Sequence, residues 1–199
     1  MAIREQLKSF KKERILEQAQ RLFYERGFRG TSLEAIADAM GMTKPFVYGV
    51  YDKKTDILYD IALQITSLSL EAAENAARAE GTPSQRLTQM AEGLAKVCME
   101  HQIGTAVFFR EEAQLEPERL AYIHELKGRF DEVLAGVLQE GVDSGEFRID
   151  DVRLAALAIG GMICWTYSWY RQAGRLSQPE ICERLGGYAL RLAGVPQSD

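Results

Sequence analysis

The stretch ADAMGMTKPFVYGVY, residues 37–51, combines features that an ordinary core helix does not need. Gly41 separates two short apolar segments, and Pro45 follows Thr43 by two residues. Glycine can adopt a positive φ at a turn, and proline is tolerated in the first turn of a helix. The stretch therefore predicts two short helices joined by a tight turn at Gly41, with Thr43 as the N-cap of the second.

A further helix precedes this pair. Apolar residues recur at helical spacing from Ile15 to Phe23, and Gly27 marks the end of that helix. Thr31 and Glu34 have the spacing of a capping box, which predicts that Thr31 begins the next helix. Together the three helices match a helix-turn-helix, in which the last helix enters the major groove of DNA.

The rest of the chain continues with helical patterns and shows no convincing strand. Helix starts are indicated at Asp52, Thr82, Pro117, Asp150 or Asp151, and Ser177, and the last helix is expected to stop at Gly194. We therefore predict an all-α fold of about nine helices. The predicted domains are an N-terminal three-helix helix-turn-helix domain, residues 1–54, and a C-terminal helical ligand-binding and dimerisation domain, residues 55–199.

The charges are unevenly distributed along the chain. Residues 1–54 carry 11 Lys and Arg against 7 Asp and Glu, whereas the remainder carries 13 against 22. A basic segment on an acidic protein suggests a polyanionic partner for that segment alone, although a chance fluctuation of surface charge would look the same.

Hydropathy and the spacing of the cysteines indicate the cellular location of the protein and the kinds of site that it could form. No apolar run approaches the roughly 18 residues of a transmembrane helix, and the N-terminus lacks a signal-peptide core, so we expect a cytoplasmic protein with no membrane partner. The three cysteines are widely spaced without a CxxC pair, which favours reduced thiols over a disulfide or a zinc site. We expect no metal and no cofactor.

Two alternative classes of function fit the sequence less well. An enzyme could use His101 or His124 as a base, but the chain has no nucleophile-elbow, zinc-binding or phosphate-loop motif, so we expect no catalytic residues. A helical adaptor that binds only protein would leave the helix-turn-helix and the basic segment unexplained. A DNA-binding protein explains both.

The segment ILEQAQRLFYERGFRGTSLEAIADAMGMTKPFVYGVYDKKTDIL, residues 15–58, resembles the TetR family of bacterial transcription regulators. The positions that carry the resemblance are Ala19, Leu22, Phe23, Gly27, Phe28, Thr31, Ile36, Ala37, Gly41, Thr43, Tyr48, Tyr51, Lys54 and Ile57. The resemblance implies a dimeric repressor that binds a palindromic operator in double-stranded DNA and is released by a small-molecule effector.

The resemblance also assigns DNA contacts to individual residues. Thr31 and Ser32 would hold a phosphate at a helix N-terminus. Thr43, Lys44, Pro45 and Phe46 would form the turn that reaches base edges, with Lys44 as a donor to guanine. Tyr48 and Lys54 would contact the DNA backbone. Gly49 and Val50 stand where relatives often carry Tyr, His or Trp, so we do not predict contacts there.

A TetR-type repressor pairs through its C-terminal domain. Small residues that permit close helix approach and an apolar stripe predict the dimer interface on the last two helices: Gly160, Gly161, Leu185, Tyr188 and Leu192. Any one of these residues could instead belong to the core of a single chain. As a set they fit a two-fold interface between homodimer subunits.

Aromatic residues of the C-terminal domain suggest an apolar effector site. Trp165, Trp169 and Arg171 lie in a segment that resembles a TetR branch commonly sensing acyl-CoA thioesters, and Phe108 and Phe109 would complete the lining. Arg171 would meet phosphate or carboxylate oxygens. The alternatives are a drug-like or aromatic effector in place of a CoA ester, or tryptophans that are plain core.

Overall fold

The computed structural model describes residues 2–195 and, of these, the side chains from Glu5 onward. Within that range every regular element is a helix, which confirms the predicted all-α fold. Nine of the ten α-helices have more than four residues. The helices are α1 (Ala2–Arg26), α2 (Leu33–Ala39), α3 (Lys44–Tyr48), α4 (Lys54–Arg78), α5 (Pro83–Glu100), α6 (Gln102–Glu111), α7 (Pro117–Asp143), α8 (Val152–Cys164), α9 (Thr166–Trp169) and α10 (Gln178–Leu192), with a 3-10 turn at Glu112–Gln114.

The first of two compact units consists of Met1–Gln64 and Ile103–Tyr122. It contains α1 to α3, the start of α4, α6 and the start of α7. Phe23 lies at its centre, fully buried, and meets the ring of Phe28 edge-on at 5.1 Å between centroids. This unit includes the predicted 1–54 domain together with residues 55–64 and a segment that follows about 40 positions later in the sequence.

The second unit consists of Ile65–Gln102 and Ile123–Asp199. Helix α10 packs against α5, and α5 also contacts α8. Apolar side chains from four helices are buried here: Leu87, Met90, Leu94, Leu134, Leu138, Ile159, Ile163 and Ile181. Gly141 permits the chain after α7 to fold back, because a Cβ at this position would overlap the ring of Phe147.

Most helix starts in the second unit follow the predicted caps. Thr82 and Ser177 each form a complete capping box, with Gln85 and Glu180 as the partners at the third helical position. Asp151 is the N-cap of α8, and its carboxylate accepts a hydrogen bond from the Leu154 amide at 3.0 Å. These side chains satisfy amides that the first turn of a helix cannot pair internally.

The predicted capping box at Thr31 and Glu34 is wrong by one residue. Ser32 is the N-cap of α2, and its hydroxyl accepts a hydrogen bond from the Ala35 amide at 3.1 Å. Thr31 is only 2% exposed, and its hydroxyl donates to the carbonyls of Gly27 at 3.0 Å and Leu22 at 3.3 Å. The hydroxyl turns inward because the carbonyls at the end of α1 need a donor.

Candidate nucleic-acid interface

The turn between α2 and α3 has the geometry that the glycine spacing predicts. Gly41 has a φ of 64°, a conformation that strains residues with a Cβ. The amide of Met42 donates to the carbonyl of Ala37 at 2.9 Å. Ala37 and Val47 are fully buried, so the two short helices are packed together on one side. The opposite side of α3 is left to solvent.

The first turn of α3 presents the side chains that the sequence assigns to base contacts. Thr43, Lys44 and Pro45 are exposed, and Phe46 is half-buried. Thr43 occupies the N-cap position without a side-chain hydrogen bond to the helix, so its hydroxyl can serve a ligand. An exposed turn on a buried support is the arrangement with which a helix-turn-helix protein reads a groove.

Glu34 of α2 interacts with two exposed side chains of α3, Tyr48 and Lys44. Its carboxylate oxygen Oε1 accepts a hydrogen bond from the Tyr48 hydroxyl at 2.7 Å and lies 4.0 Å from the Lys44 ammonium. The hydrogen bond from Tyr48 is the main reason that the pKa of the Glu34 carboxyl is lowered, with smaller contributions from Ser32 and the charge of Lys44. The same bond raises the pKa of Tyr48. Glu34 therefore stays ionised and orients the exposed side of α3.

The two residues predicted to hold a phosphate at the start of α2 differ in exposure. Ser32 is exposed at the N-cap of α2, where a phosphate oxygen could reach the first amides of the helix. The buried Thr31 hydroxyl is committed to the carbonyls of Leu22 and Gly27. We therefore leave Thr31 out of the candidate interface and retain Ser32.

Lys54, assigned from the sequence to a DNA phosphate, has its ammonium inside the first unit. The Nζ atom donates to the carbonyl oxygens of Phe28 at 2.7 Å, Thr31 at 2.9 Å and Arg29 at 3.4 Å. It also lies 4.5 Å from the centroid of the Phe28 ring. An ammonium has three donors, and the loop carbonyls occupy them. The structure therefore gives Lys54 a positioning role: it fixes the loop between α1 and α2.

A second set of contacts, which holds the end of α1 and the same loop, has no signal in the sequence pattern. The Arg110 guanidinium on α6 donates to the carbonyl of Tyr24 at 3.2 Å and to that of Phe23. Beside it, Glu111 accepts a hydrogen bond from the Phe28 amide at 3.4 Å. These contacts join residues more than 80 positions apart, and neither periodicity nor a cap could have revealed them.

The predicted effector residues fall into both units. In the first unit Phe108 is buried and Phe109 is 38% exposed, with their ring centroids 5.2 Å apart. In the second unit Trp165 and Trp169 are 60% and 46% exposed, so neither is plain core. The Arg171 guanidinium is exposed and donates to the Tyr170 carbonyl at 2.7 Å.

The predicted dimer residues divide by exposure. Gly160 and Leu185 are buried within the chain, and a Cβ on Gly160 would face the ring of Phe130 at 3.7 Å. Gly160 and Leu185 are therefore core positions of the second unit. Gly161 is exposed, and Tyr188 and Leu192 are 45% and 48% exposed, which leaves them available to a partner chain.

The described residues contain neither a candidate membrane-spanning helix nor a candidate metal site. None of the helices in the described part of the chain is both long and apolar enough to cross a membrane. Among residues 2–195, no group of three or more His, Cys, Asp and Glu side chains could hold a metal ion. Cys98, Cys164 and Cys182 are free thiols.

Two protein-family models match the chain. Residues 15–61 match the model described as "Bacterial regulatory proteins, tetR family". Residues 80–193, more than half of the chain, match the model described as "Tetracyclin repressor-like, C-terminal domain".

Individual relatives agree with these matches. The HTH-type transcriptional repressor KstR2 of Rhodococcus jostii (strain RHA1) is 27% identical over 89% of this chain and 88% of its own length. The crystal structure of the TetR family regulator PfmR from Thermus thermophilus is 31% identical, with a TM-score of 0.82 over 89% of this chain and 97% of that one. AibR, crystallised with isovaleryl coenzyme A and operator DNA, is 27% identical, with a TM-score of 0.78 over the same shares of the two chains.

Replacing Lys54 with Met keeps most of the side-chain volume and removes the ammonium that binds the loop carbonyls. We expect the free energy of unfolding to fall by about 1.5–3 kcal/mol, the range for hydrogen bonds to a charged group. Urea unfolding followed by circular dichroism measures it. Lys44→Met is the matched control, and because Lys44 is exposed we expect a change within about 0.5 kcal/mol. Equal stability of both variants and wild type would contradict the role given to Lys54.

Proposed function

Because the chain belongs to the TetR family of bacterial transcription regulators, we propose that it is an effector-released repressor that binds a two-fold symmetric operator as a homodimer. Family membership confirms the prediction of a DNA-binding regulator rather than an enzyme. The observation that carries the proposal is the exposed first turn of α3 on a buried support. We place its action in the cytoplasm, where bacterial DNA is found.

The proposed contacts to DNA follow from what each exposed side chain can donate. Lys44 can donate to O6 and N7 of guanine, and Pro45 can touch a thymine methyl group. Thr43 and Ser32 offer hydroxyls, together with the amides at two helix starts, to phosphate oxygens. Glu34 holds the Lys44 ammonium only at 4.0 Å, so a guanine or phosphate can displace this contact at small cost.

Lys44→Ala tests the assignment of the recognition turn. After the preferred sequence has been selected from a pool of random duplexes, we expect the variant to lose about 1–3 kcal/mol of binding to it and to relax the preference at one base position. Titration by fluorescence anisotropy gives the affinities. Lys96→Ala, which removes an exposed lysine of α5, is the control and should bind as wild type does. Wild-type affinity and preference in Lys44→Ala would exclude the assignment.

The proposed dimer rests on exposed apolar side chains of the second unit. On α8, Leu154 is 63% and Leu157 is 56% exposed, and Gly161 continues the same face one turn further. On the neighbouring α10, Tyr188 and Leu192 are also exposed. Large exposed apolar groups on adjoining helices are typical of an interface. A two-fold pair would present two copies of α3 to half-sites about 34–36 Å apart, or a multiple of that spacing.

Leu157→Glu and Leu192→Glu test this face. Each change would bury a carboxylate in the interface, so we expect monomers that bind operator at least tenfold more weakly, because a single recognition helix reads a short half-site. Light scattering gives the mass of each variant. Leu7→Glu, which alters an exposed leucine of α1, should remain dimeric. Dimers of wild-type mass in both α8 and α10 variants would rule out this face.

For the effector we propose a short acyl-CoA thioester. AibR, whose structure was solved with isovaleryl coenzyme A, supports this class. Within the second unit, Trp165, Trp169 and Arg171 lie within seven residues of one another and all have exposed side chains. The rings can cover an apolar or adenine group, and the guanidinium can pair with phosphate. Phe108 and Phe109 remain a prediction for the first unit.

The two tryptophans provide a direct test, because the chain contains no others. We expect isovaleryl-CoA to change the intrinsic fluorescence and to release the operator, and free isovalerate to do neither. Arg171→Ala should weaken binding by about tenfold, the loss of one charge-assisted contact. Arg175→Ala is the matched control on the same loop. Release only by free acids or by apolar drugs would reject the CoA ester and favour a drug-like or aromatic effector.

A further inference from the structure

Helix α1 begins well before the residues that pack in the core of the first unit. It has 25 residues, a length of about 37 Å, and among its side chains from Glu5 onward the first that is fully buried is Ile15. Residues 5–10 are all exposed, including Leu7 at 53% and Phe10 at 59%. Packing within the described part of the chain does not account for these leading turns.

The face of α1 that packs in the core is apolar from Ile15 onward and basic before it, at Lys11 and Lys8. Ile15, Ala19 and Leu22 form a buried stripe at positions i, i+4 and i+7. Lys11 and Lys8 continue the same stripe at i−4 and i−7. Where the stripe leaves the core, its side chains therefore change from apolar to basic.

Glu5, three residues before Lys8, is the one acidic residue of α1 that neighbours the basic extension. At about 100° per residue, Glu13 and Glu17 fall on the opposite side of the helix from Ile15, and Glu5 falls about 80° to one side. Glu17 is paired with Arg14 and Arg21 at 3.3 Å and 2.8 Å. The side of the helix that carries Lys8 and Lys11 thus keeps a net positive charge.

Lys11 connects this stripe with the recognition turn. Its ammonium lies 5.1 Å from the centroid of the Phe46 ring, in the first turn of α3. The neighbouring Lys12 lies about 100° further round the helix and forms an ion pair with Asp60 at 2.9 Å. The cation–π contact with Phe46 places Lys11 beside the residues that we propose to face the groove.

We propose that Lys8 and Lys11 bind the phosphate backbone of duplex DNA next to the half-site read by α3. The proposal rests on the proposed function and extends the DNA interface to a helix outside the helix-turn-helix. Charge complementarity and continuity with α3 identify duplex DNA as the occupant of this exposed helix face. Phosphate contacts fix the register of a protein on the duplex without reading its sequence. Lys8 and Lys11 therefore contribute affinity and salt dependence, and Lys44 contributes base preference.

The test is the salt dependence of binding to a random duplex and to the selected operator. The double variant Lys8→Gln/Lys11→Gln preserves helix propensity. In this variant we expect the slope of log K against log salt concentration to become shallower by about two units for each chain bound. The ratio of operator affinity to random-duplex affinity should stay unchanged. Lys12→Gln on the same helix, and Lys96→Gln on α5, should keep the wild-type slope.

Three outcomes would overturn the proposal. A double variant with the wild-type slope and wild-type helix content would show that these lysines do not meet phosphate. A reduced ratio of operator to random affinity would place them at base edges instead. Absence of duplex binding by the wild-type chain would reject the proposed function itself. If the wild-type chain binds duplex DNA and the double variant has the same salt slope, only the role of α1 is rejected.

Discussion

The candidate DNA interface depends on the hydrogen bonds that the Lys54 ammonium donates. The ammonium donates to three backbone carbonyls, those of Phe28, Arg29 and Thr31, in the loop between α1 and α2. Carbonyls in such a loop have no partner in a helix, and leaving them unpaired in a partly buried place costs free energy. Because Lys54 is also the first residue of α4, one side chain joins the end of α1, the start of α2 and the start of α4.

Contacts with α2 explain how α3 can be so short. The helix has five residues, and Val47 is its only buried side chain. An isolated helix of this length would not form in water. It is held by the packing of Val47 and Ala37, by the turn at Gly41 and by the hydrogen bond between Tyr48 and Glu34. The exposed side of α3 is therefore ordered before DNA arrives, which lowers the entropy lost on binding.

The second unit has a different physical character. Its interior is filled by apolar side chains of α5, α7, α8 and α10, yet α8 and α10 still expose leucines, a tyrosine and a glycine. A single chain gains nothing from this exposed apolar area, whereas a second copy could bury it. The same unit exposes both tryptophans. In an effector-controlled regulator, such surfaces are where a partner chain and a ligand can shift the population of DNA-binding states.

The sequence by itself determined the features that depend on near neighbours in the chain. The turn at Gly41 and the caps at Thr82 and Ser177 were predictable because each involves only a few consecutive residues, and the cap of α8 was narrowed to Asp150 or Asp151 in the same way. The all-α class and the helix-turn-helix followed from the same local signals. Helix α6 begins at Gln102, directly after His101 at the end of α5, and its sequence has none of the start patterns that predicted the other helices.

Only the tertiary structure decided the orientation of side chains whose partners lie further away in the sequence. It turned Thr31 inward, committed Lys54 to loop carbonyls and brought Arg110 from α6 to the end of α1. It also separated the buried Leu185 from the exposed Leu192 on one helix. These outcomes depend on which backbone groups lack a partner and which helix faces meet. Both are set by contacts between distant parts of the chain, which a pattern of residue types along the sequence does not contain.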